Sequence, residues 1–158
     1  MLVLGACRSS GEVEEPMEES TPARTTSANT SSGTEPARPS AEEQRMEAAL
    51  RTTVFYFDFD VAEFKPADRD TLTYHARNLA SNSGNRIRLE GHADERGTRE
   101  YNLALGERRA NGILNFLIVN GASRSQIETV SYGEERPERT GTTEAAYQAN
   151  RRVEVISR

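Results

Sequence analysis

The sequence predicts an α/β (α+β) two-layer sandwich, with helices on one face of a mixed β-sheet, preceded by a disordered tail. Three observations carry this expectation. All ten aromatic residues lie at or after Phe55, so an aromatic-bearing core belongs to the C-terminal part. Residues 8–50 hold four of the six prolines and many Ser, Thr, Glu and Ala, too little apolar surface to offset the entropy of ordering the chain. Beyond residue 51, strand-like and helix-like patterns alternate in the order βαβαβ(α)β, as in a layered α/β unit. The expected division is a tether over 8–50 and one domain over 51–158, whose 108 residues suffice for a single core.

Each element has its own signal. Residues 41–51 are rich in helix formers and predict a short helix leading into the domain. Val54 to Phe59 is a dense β-branched and aromatic run, read as strand one. Pro66 suits the first turn of a helix, with Leu72, His75, Ala76 and Leu79 as its apolar stripe and Ser83-Gly84-Asn85 as its stop. Ile87 and Leu89 alternate with polar residues from Arg86 to Gly91, which gives strand two. Arg99 to Val119 is the longest helical pattern, with Leu103, Gly106, Ala110, Ile113, Leu114 and Leu117 on one stripe and Asn120-Gly121 as the stop. Ile127 to Tyr132 reads as strand three, Thr143 to Gln148 as a short helix, and Arg152 to Ile156 as strand four.

Charge divides as composition does. Segment 8–50 has nine acids and four arginines, net −5, while segment 51–158 has sixteen acids and sixteen bases, net 0. A neutral domain beside an acidic tail lacks the basic footprint of a nucleic-acid binder. Cys7 is the only cysteine, so neither a disulfide nor a thiolate metal site is expected in the domain. His75 and His92, the only histidines, form no ligand cluster, and no Ser or Cys sits in an activating motif. The expectation is a binding module with no cofactor, no metal and no catalysis.

The segment Glu90-Gly91-His92-Ala93-Asp94-Glu95-Arg96-Gly97-Thr98 leaves strand two as a polar loop bracketed by two glycines, the kind of loop that carries function. On the helix that follows, Asn102, Leu105 and Arg109 are spaced i, i+3, i+7 and share one face. An acid, an amide, an apolar contact and a guanidinium thereby converge. That quartet suits a zwitterionic amino-acid ligand: Arg109 takes a carboxylate through paired hydrogen bonds, and Asp94 takes an ammonium or backbone N–H groups. Both side chains lie outside the apolar stripe, so the fold is expected to survive their removal.

Each residue also has a plainer reading. Asp94 can cap the following helix, Arg109 can belong to a solvated face, and Asn102 can be an ordinary early-helix polar residue. Gly91 and Gly97 read more readily as turn residues with positive φ than as ligand contacts. Phe55 and Phe57 are core positions, and only Phe59, at the strand end, is a plausible contact.

The loop and the run Leu105-Gly106-Glu107-Arg108-Arg109-Ala110 closely resemble the outer-membrane-protein-A-like peptidoglycan-binding domain, in wording nearest the peptidoglycan-associated lipoprotein branch. Val54 to Asp60, Val130 to Pro137 and Glu144 to Arg152 agree with it, so the resemblance spans about residues 52–156. It implies non-covalent binding of peptidoglycan through meso-diaminopimelate of the uncrosslinked stem peptide. Carried over, Asp94 and Arg109 are the principal ligand residues, Phe59, Asp60, Asn102 and Leu105 line the pocket, and Arg151 or Arg152 supports the rim. The resemblance further implies docking of the TolB-like propeller protein of the Tol complex, tethering of the outer membrane to the wall, and a part in cell division. Two departures stand out. Leu117 to Gly121 is more apolar than usual, and Arg99 stands where proline is common.

The alternatives are a cell-wall hydrolase built on His92 and nearby acids, and the wall-anchoring domain of a stator or porin. The first lacks a zinc set or nucleophile triad. The second carries a spanning helix or barrel, whereas no stretch here approaches the ~20 apolar residues of such a helix.

Leu4-Gly5-Ala6-Cys7 resembles a bacterial lipobox, with small residues before a cysteine that receives the lipid. Only six residues precede Cys7, so residues 1–7 read as the remnant of a longer signal peptide. Arg8 is not the aspartate that retains many lipoproteins at the inner membrane, which points to a lipid-anchored protein of the outer membrane with its domain in the periplasm.

Overall fold

The computed structural model describes residues 40–158. The expected signal remnant, Cys7 with its expected lipid, and residues 8–39 of the expected tether lie outside the described residues.

Helix α1, Ala41–Leu50, starts at Ser40. The Ser40 hydroxyl accepts from the Glu43 N–H and the Glu43 carboxylate accepts from the Ser40 N–H, a reciprocal cap that fills two otherwise orphaned donors. No residue of α1 is buried. It lies along α2, Arg69–Ser81, where Glu42 pairs with Arg77 at 3.1 Å. A single 3-10 turn, Pro66–Asp68, precedes α2.

Strand β1 is Val54–Tyr56, β2 is Ile87–His92, β3 is Ile127–Gly133 and β4 is Arg152–Ser157. They form one mixed sheet in the order β1-β4-β2-β3. β4 runs antiparallel to both β1 and β2, and β2 runs parallel to β3. Helix α3, Arg99–Val119, connects the parallel pair, and α4, Glu144–Asn150, leads into β4. The expected α+β sandwich is thus the observed fold.

Residues alternate across the sheet, as the pleat requires. Phe55, Ile87, Leu89, Ile127, Val153 and Val155 form the core with Leu72, Ala76 and Leu79 of α2 and Ala110, Ile113, Leu114 and Leu117 of α3. Their neighbours on the strands face away and pair by charge: Arg88 with Glu128 at 3.1 Å, and Arg152 with Glu154 at 2.6 Å. The apolar stripe read for α2 is the buried set, His75 included. On α3, Leu103 is only half-buried, and the buried residues fall on two adjoining stripes, one of them Asn102, Leu105 and Arg109.

Strand one is shorter than its β-rich sequence predicts, ending at Tyr56 rather than Phe59. The next carbonyls are engaged by side chains instead of a neighbouring strand. Phe57 O accepts from Gln148 and Arg151, and Asp58 O and Val61 O accept from Arg109. The chain then turns at Asp60, whose φ of 58° makes it the only positive-φ non-glycine among the described residues.

Two glycines let α3 lie against β2. A Cβ on Gly91 would come within 2.0 Å of the Gly106 carbonyl oxygen, and one on Gly106 within 2.4 Å of Ser131 Oγ. Gly91 therefore serves close approach rather than the positive φ expected of it, whereas Gly97 does have φ 115°. Gly91→Ala should destabilise the domain by ~3 kcal/mol, the upper end of the usual overpacking cost, because the obstacle is backbone and cannot rotate aside. Urea unfolding of the variant checks this; a loss under ~1 kcal/mol would show that the helix can shift freely.

His92, at the end of β2, is buried, and neither ring nitrogen has a hydrogen-bond partner among the described residues. Burial, helped by the Arg152 charge, pushes its pKa down to about 4. Burial also lowers that of His75, against the opposing effect of its bond to Thr52 O. The unfolded chain, with histidines near 6.5, takes up protons that the folded domain refuses. Stability should therefore fall as pH drops from about 6.5 to about 4, by ~3 kcal/mol for His92. Melting curves from pH 7 to 4 should show this slope, and His92→Phe should remove much of it.

Candidate functional site

Three segments and one helix face converge at the C-terminal end of β2. The β1–α2 loop brings Phe59 and Asp60, and the β2–α3 loop brings Asp94, Arg96 and Gly97. Helix α3 brings Tyr101, Asn102, Leu105 and Arg109. Arg151, between α4 and β4, closes the far side. The cavity they enclose is about 200 Å³, the size of a single amino-acid side chain rather than an extended polymer. The six residues singled out from sequence, Phe59, Asp60, Asp94, Asn102, Leu105 and Arg109, all line it. Arg151 also lines it, while Arg152 is on the opposite face of the sheet with Glu154.

The β2–α3 loop is held by local chemistry. Thr98, not Asp94, caps α3, its hydroxyl accepting from the Tyr101 N–H at 3.2 Å. Gly97, in a backbone region closed to most side chains, lets the loop turn from Asp94 into the helix. Asn102 is buried and donates to the Glu134 carboxylate at 2.5 Å, which ties α3 to the loop after β3. Tyr101 donates its hydroxyl to Asp60 and so pins the β1–α2 loop over the cavity mouth.

Arg109 is neither solvated nor peripheral; it is 0% exposed. Nε donates to Val61 O at 2.9 Å, Nη1 to His92 O at 2.8 Å and Nη2 to Asp58 O at 3.0 Å. The Phe57 ring lies 5.1 Å below the guanidinium. Burial pushes its pKa down to about 10, against the raising effect of the Asp94 charge, so it stays cationic at neutral pH. Three of its five N–H donors are taken by the protein, which leaves two.

Asp94 is equally enclosed. Burial would raise its pKa, but hydrogen bonds from Arg96 and Arg151 outweigh that and hold it below the ordinary carboxylate range. Arg96 forks onto it through Nε at 3.2 Å and Nη2 at 2.6 Å, and Arg151 Nη1 reaches it at 3.1 Å. Arg151 is itself fixed by Phe57 O, Glu144 and Gln148. Helix α4 sets that position, with Thr143 as its cap.

Arg96 and Tyr101 are the site residues that sequence reasoning left without a role. The signals were present: Arg96 is two residues from Asp94, within reach of one turn, and Tyr101 is one turn ahead of Leu105 on α3. Among the described residues, no group of three or more His, Cys, Asp or Glu side chains could hold a metal ion.

Residues 56–151 match the OmpA family. The chain is 54% identical over 110 residues to the peptidoglycan-associated lipoprotein of Pseudomonas putida, covering 69% of this chain and 66% of that protein. It is also 54% identical over 110 residues to its namesake in Pseudomonas aeruginosa, covering 69% of this chain and 65% of that one. The match thus spans just under two thirds of those relatives' length. The crystal structure of the peptidoglycan-associated lipoprotein from Burkholderia pseudomallei superposes with a TM-score of 0.69 at 38% identity, over 70% of this chain and 93% of that one.

The burial of Arg109 corrects the expectation that the fold tolerates its loss. Arg109→Ala orphans three backbone carbonyls at about 1–3 kcal/mol each, so a cost of at least ~3 kcal/mol is expected in urea unfolding. Arg109→Lys keeps the charge but not the three-way reach and should fall between. A stable Arg109→Ala, within ~1 kcal/mol of wild type, would mean that water readily replaces the guanidinium.

Proposed function

The chain belongs to the OmpA family, and from that premise we propose that it binds peptidoglycan non-covalently, capturing meso-diaminopimelate of the stem peptide in the Asp94–Arg109 cavity. The observation that carries this reading is the pairing of a buried carboxylate with a buried guanidinium across one cavity of amino-acid size. A ligand end bearing both an ammonium and a carboxylate matches such a site on both charges. Arg109 offers its two remaining donors to the carboxylate, and Asp94 is the acceptor for the ammonium. Leu105 and the half-exposed Phe59 ring flank the aliphatic part. Asp60 and Asn102 complete the wall.

The wider role follows the same reading. The protein acts as a binding module and not as an enzyme. It carries lipid on Cys7, sits at the outer membrane with its domain in the periplasm, and tethers that membrane to the wall. It takes part with the Tol complex in envelope integrity and division, and the propeller protein of that complex is its protein partner. Among the described residues, no helix is long and apolar enough to cross a membrane, which fits attachment through lipid. The names of its relatives, peptidoglycan-associated lipoproteins, support the wall-binding and lipid-bearing parts of this reading.

Titration with a diaminopimelate-containing stem peptide tests it. Asp94→Asn preserves shape and removes the charge, and should cost ~2–5 kcal/mol of binding, roughly thirty- to several-thousand-fold in affinity. Arg124→Ala, on the surface turn before β3, should bind as wild type. If folded Asp94→Asn binds within about twofold of wild type, the cavity is not the wall-binding site.

A further inference from the structure

We propose that Arg96 is a built-in occupant of the ligand's place on Asp94, and that capture is an exchange in which a ligand ammonium displaces the Arg96 guanidinium. This inference rests on the reading of the cavity as the diaminopimelate site. A carboxylate offers about four acceptor positions, and all four on Asp94 are filled. Oδ1 accepts from the Arg96 backbone N–H and from Arg96 Nε, and Oδ2 accepts from Arg96 Nη2 and Arg151 Nη1. With its side chain 4% exposed, Asp94 has no free side to offer. An incoming ammonium finds an acceptor there only after a bond opens.

The geometry decides which arginine yields. Arg151 is buried and fastened to Phe57 O, Glu144 and Gln148 as well as to Asp94. Arg96 is 35% exposed. Beyond Asp94 its guanidinium is held by the faces of Phe59 and Tyr147, with ring centroids 4.1 and 4.4 Å away, and by Glu144 at 3.5 Å. Phe59 is 56% exposed, so one plate of this sandwich is already at the surface. Rotation of the Arg96 side chain frees one position on each oxygen of Asp94 and leaves the loop's backbone bond in place. The exposed Glu144 carboxylate stays within reach of the released cation. One cation leaves and another enters, so no charge is stranded. The same exchange sets specificity, because a ligand without an ammonium cannot take the vacated place.

The test is calorimetric titration of the folded protein with free meso-diaminopimelic acid and with its bis-N-acetyl derivative. Arg96→Gln removes the competitor and should tighten diaminopimelic acid by about fivefold or more without tightening the acetylated compound. Tyr147→Leu lies outside the cavity lining and removes one plate of the sandwich. It should tighten diaminopimelic acid by about two- to fivefold, and it keeps the proposal testable if Arg96→Gln does not fold. Equal or weaker binding in the folded variants overturns the exchange, and so does an equal gain for the acetylated compound. If wild type binds neither compound, the diaminopimelate reading itself falls and the exchange with it; if wild type binds and the variants gain nothing, only the exchange falls.

Discussion

The structure turns on a guanidinium that has no contact with solvent. Removing such a cation from water costs several kcal/mol unless its donors find partners. Arg109 finds them in the carbonyls of Asp58, Val61 and His92, which belong to the β1–α2 loop and the end of β2. One side chain therefore joins α3 to the β1–α2 loop and to the strand end from which the β2–α3 loop leaves. Lysine has neither the planar fork nor the number of fixed directions to do this. The Arg109 bond to Asp58 O, with those of Gln148 and Arg151 to Phe57 O, accounts for the early end of β1: the next carbonyls are taken by side chains rather than by a neighbouring strand.

That reach depends on how closely α3 approaches the sheet. Gly91 and Gly106 meet with no room for a Cβ on either, which brings the helix axis toward β2 and places Arg109 under the His92 carbonyl. The apolar stripe of α3 then faces the core, and the adjoining stripe of Asn102, Leu105 and Arg109 faces the cavity. Packing and site are two faces of one helix, and a change that moves the helix disturbs both.

Much of this was legible in the sequence because it is periodic or local. The bounds of α3 coincide with its hydrophobic pattern, the buried set of α2 is its predicted stripe, and the spacing of Asn102, Leu105 and Arg109 placed them on one face. What escaped was contact at long range. The partners of Arg109 lie 17 to 51 residues away and Arg151 is 94 residues from Phe57, so a β-rich run reads as a strand to Phe59 when the carbonyls of Phe57 and Asp58 belong to distant side chains. Burial of a charge is likewise invisible to periodicity, which sorts an isolated arginine onto a solvated face. The role of Gly91 lies in its separation from another backbone, not in its own torsion angles. Arg96 forks onto Asp94 two residues away, but the plates that hold its guanidinium, Phe59 and Tyr147, lie about forty and fifty residues distant in sequence.

The charges around the cavity form a chain rather than a set of separate contacts. Asp94 joins Arg96 and Arg151, and both arginines reach Glu144. Such a network is rigid when complete and costly when any member is left unpaired. A ligand entering it gains only the difference between its own contacts and those it replaces. Under the exchange reading, affinity for a single stem peptide stays moderate however good the final contacts are. Discrimination stays sharp, because a ligand lacking the ammonium cannot displace Arg96 from Asp94. That balance suits the proposed tether, since many weak and specific attachments would hold two surfaces together while each remains free to let go and rebind.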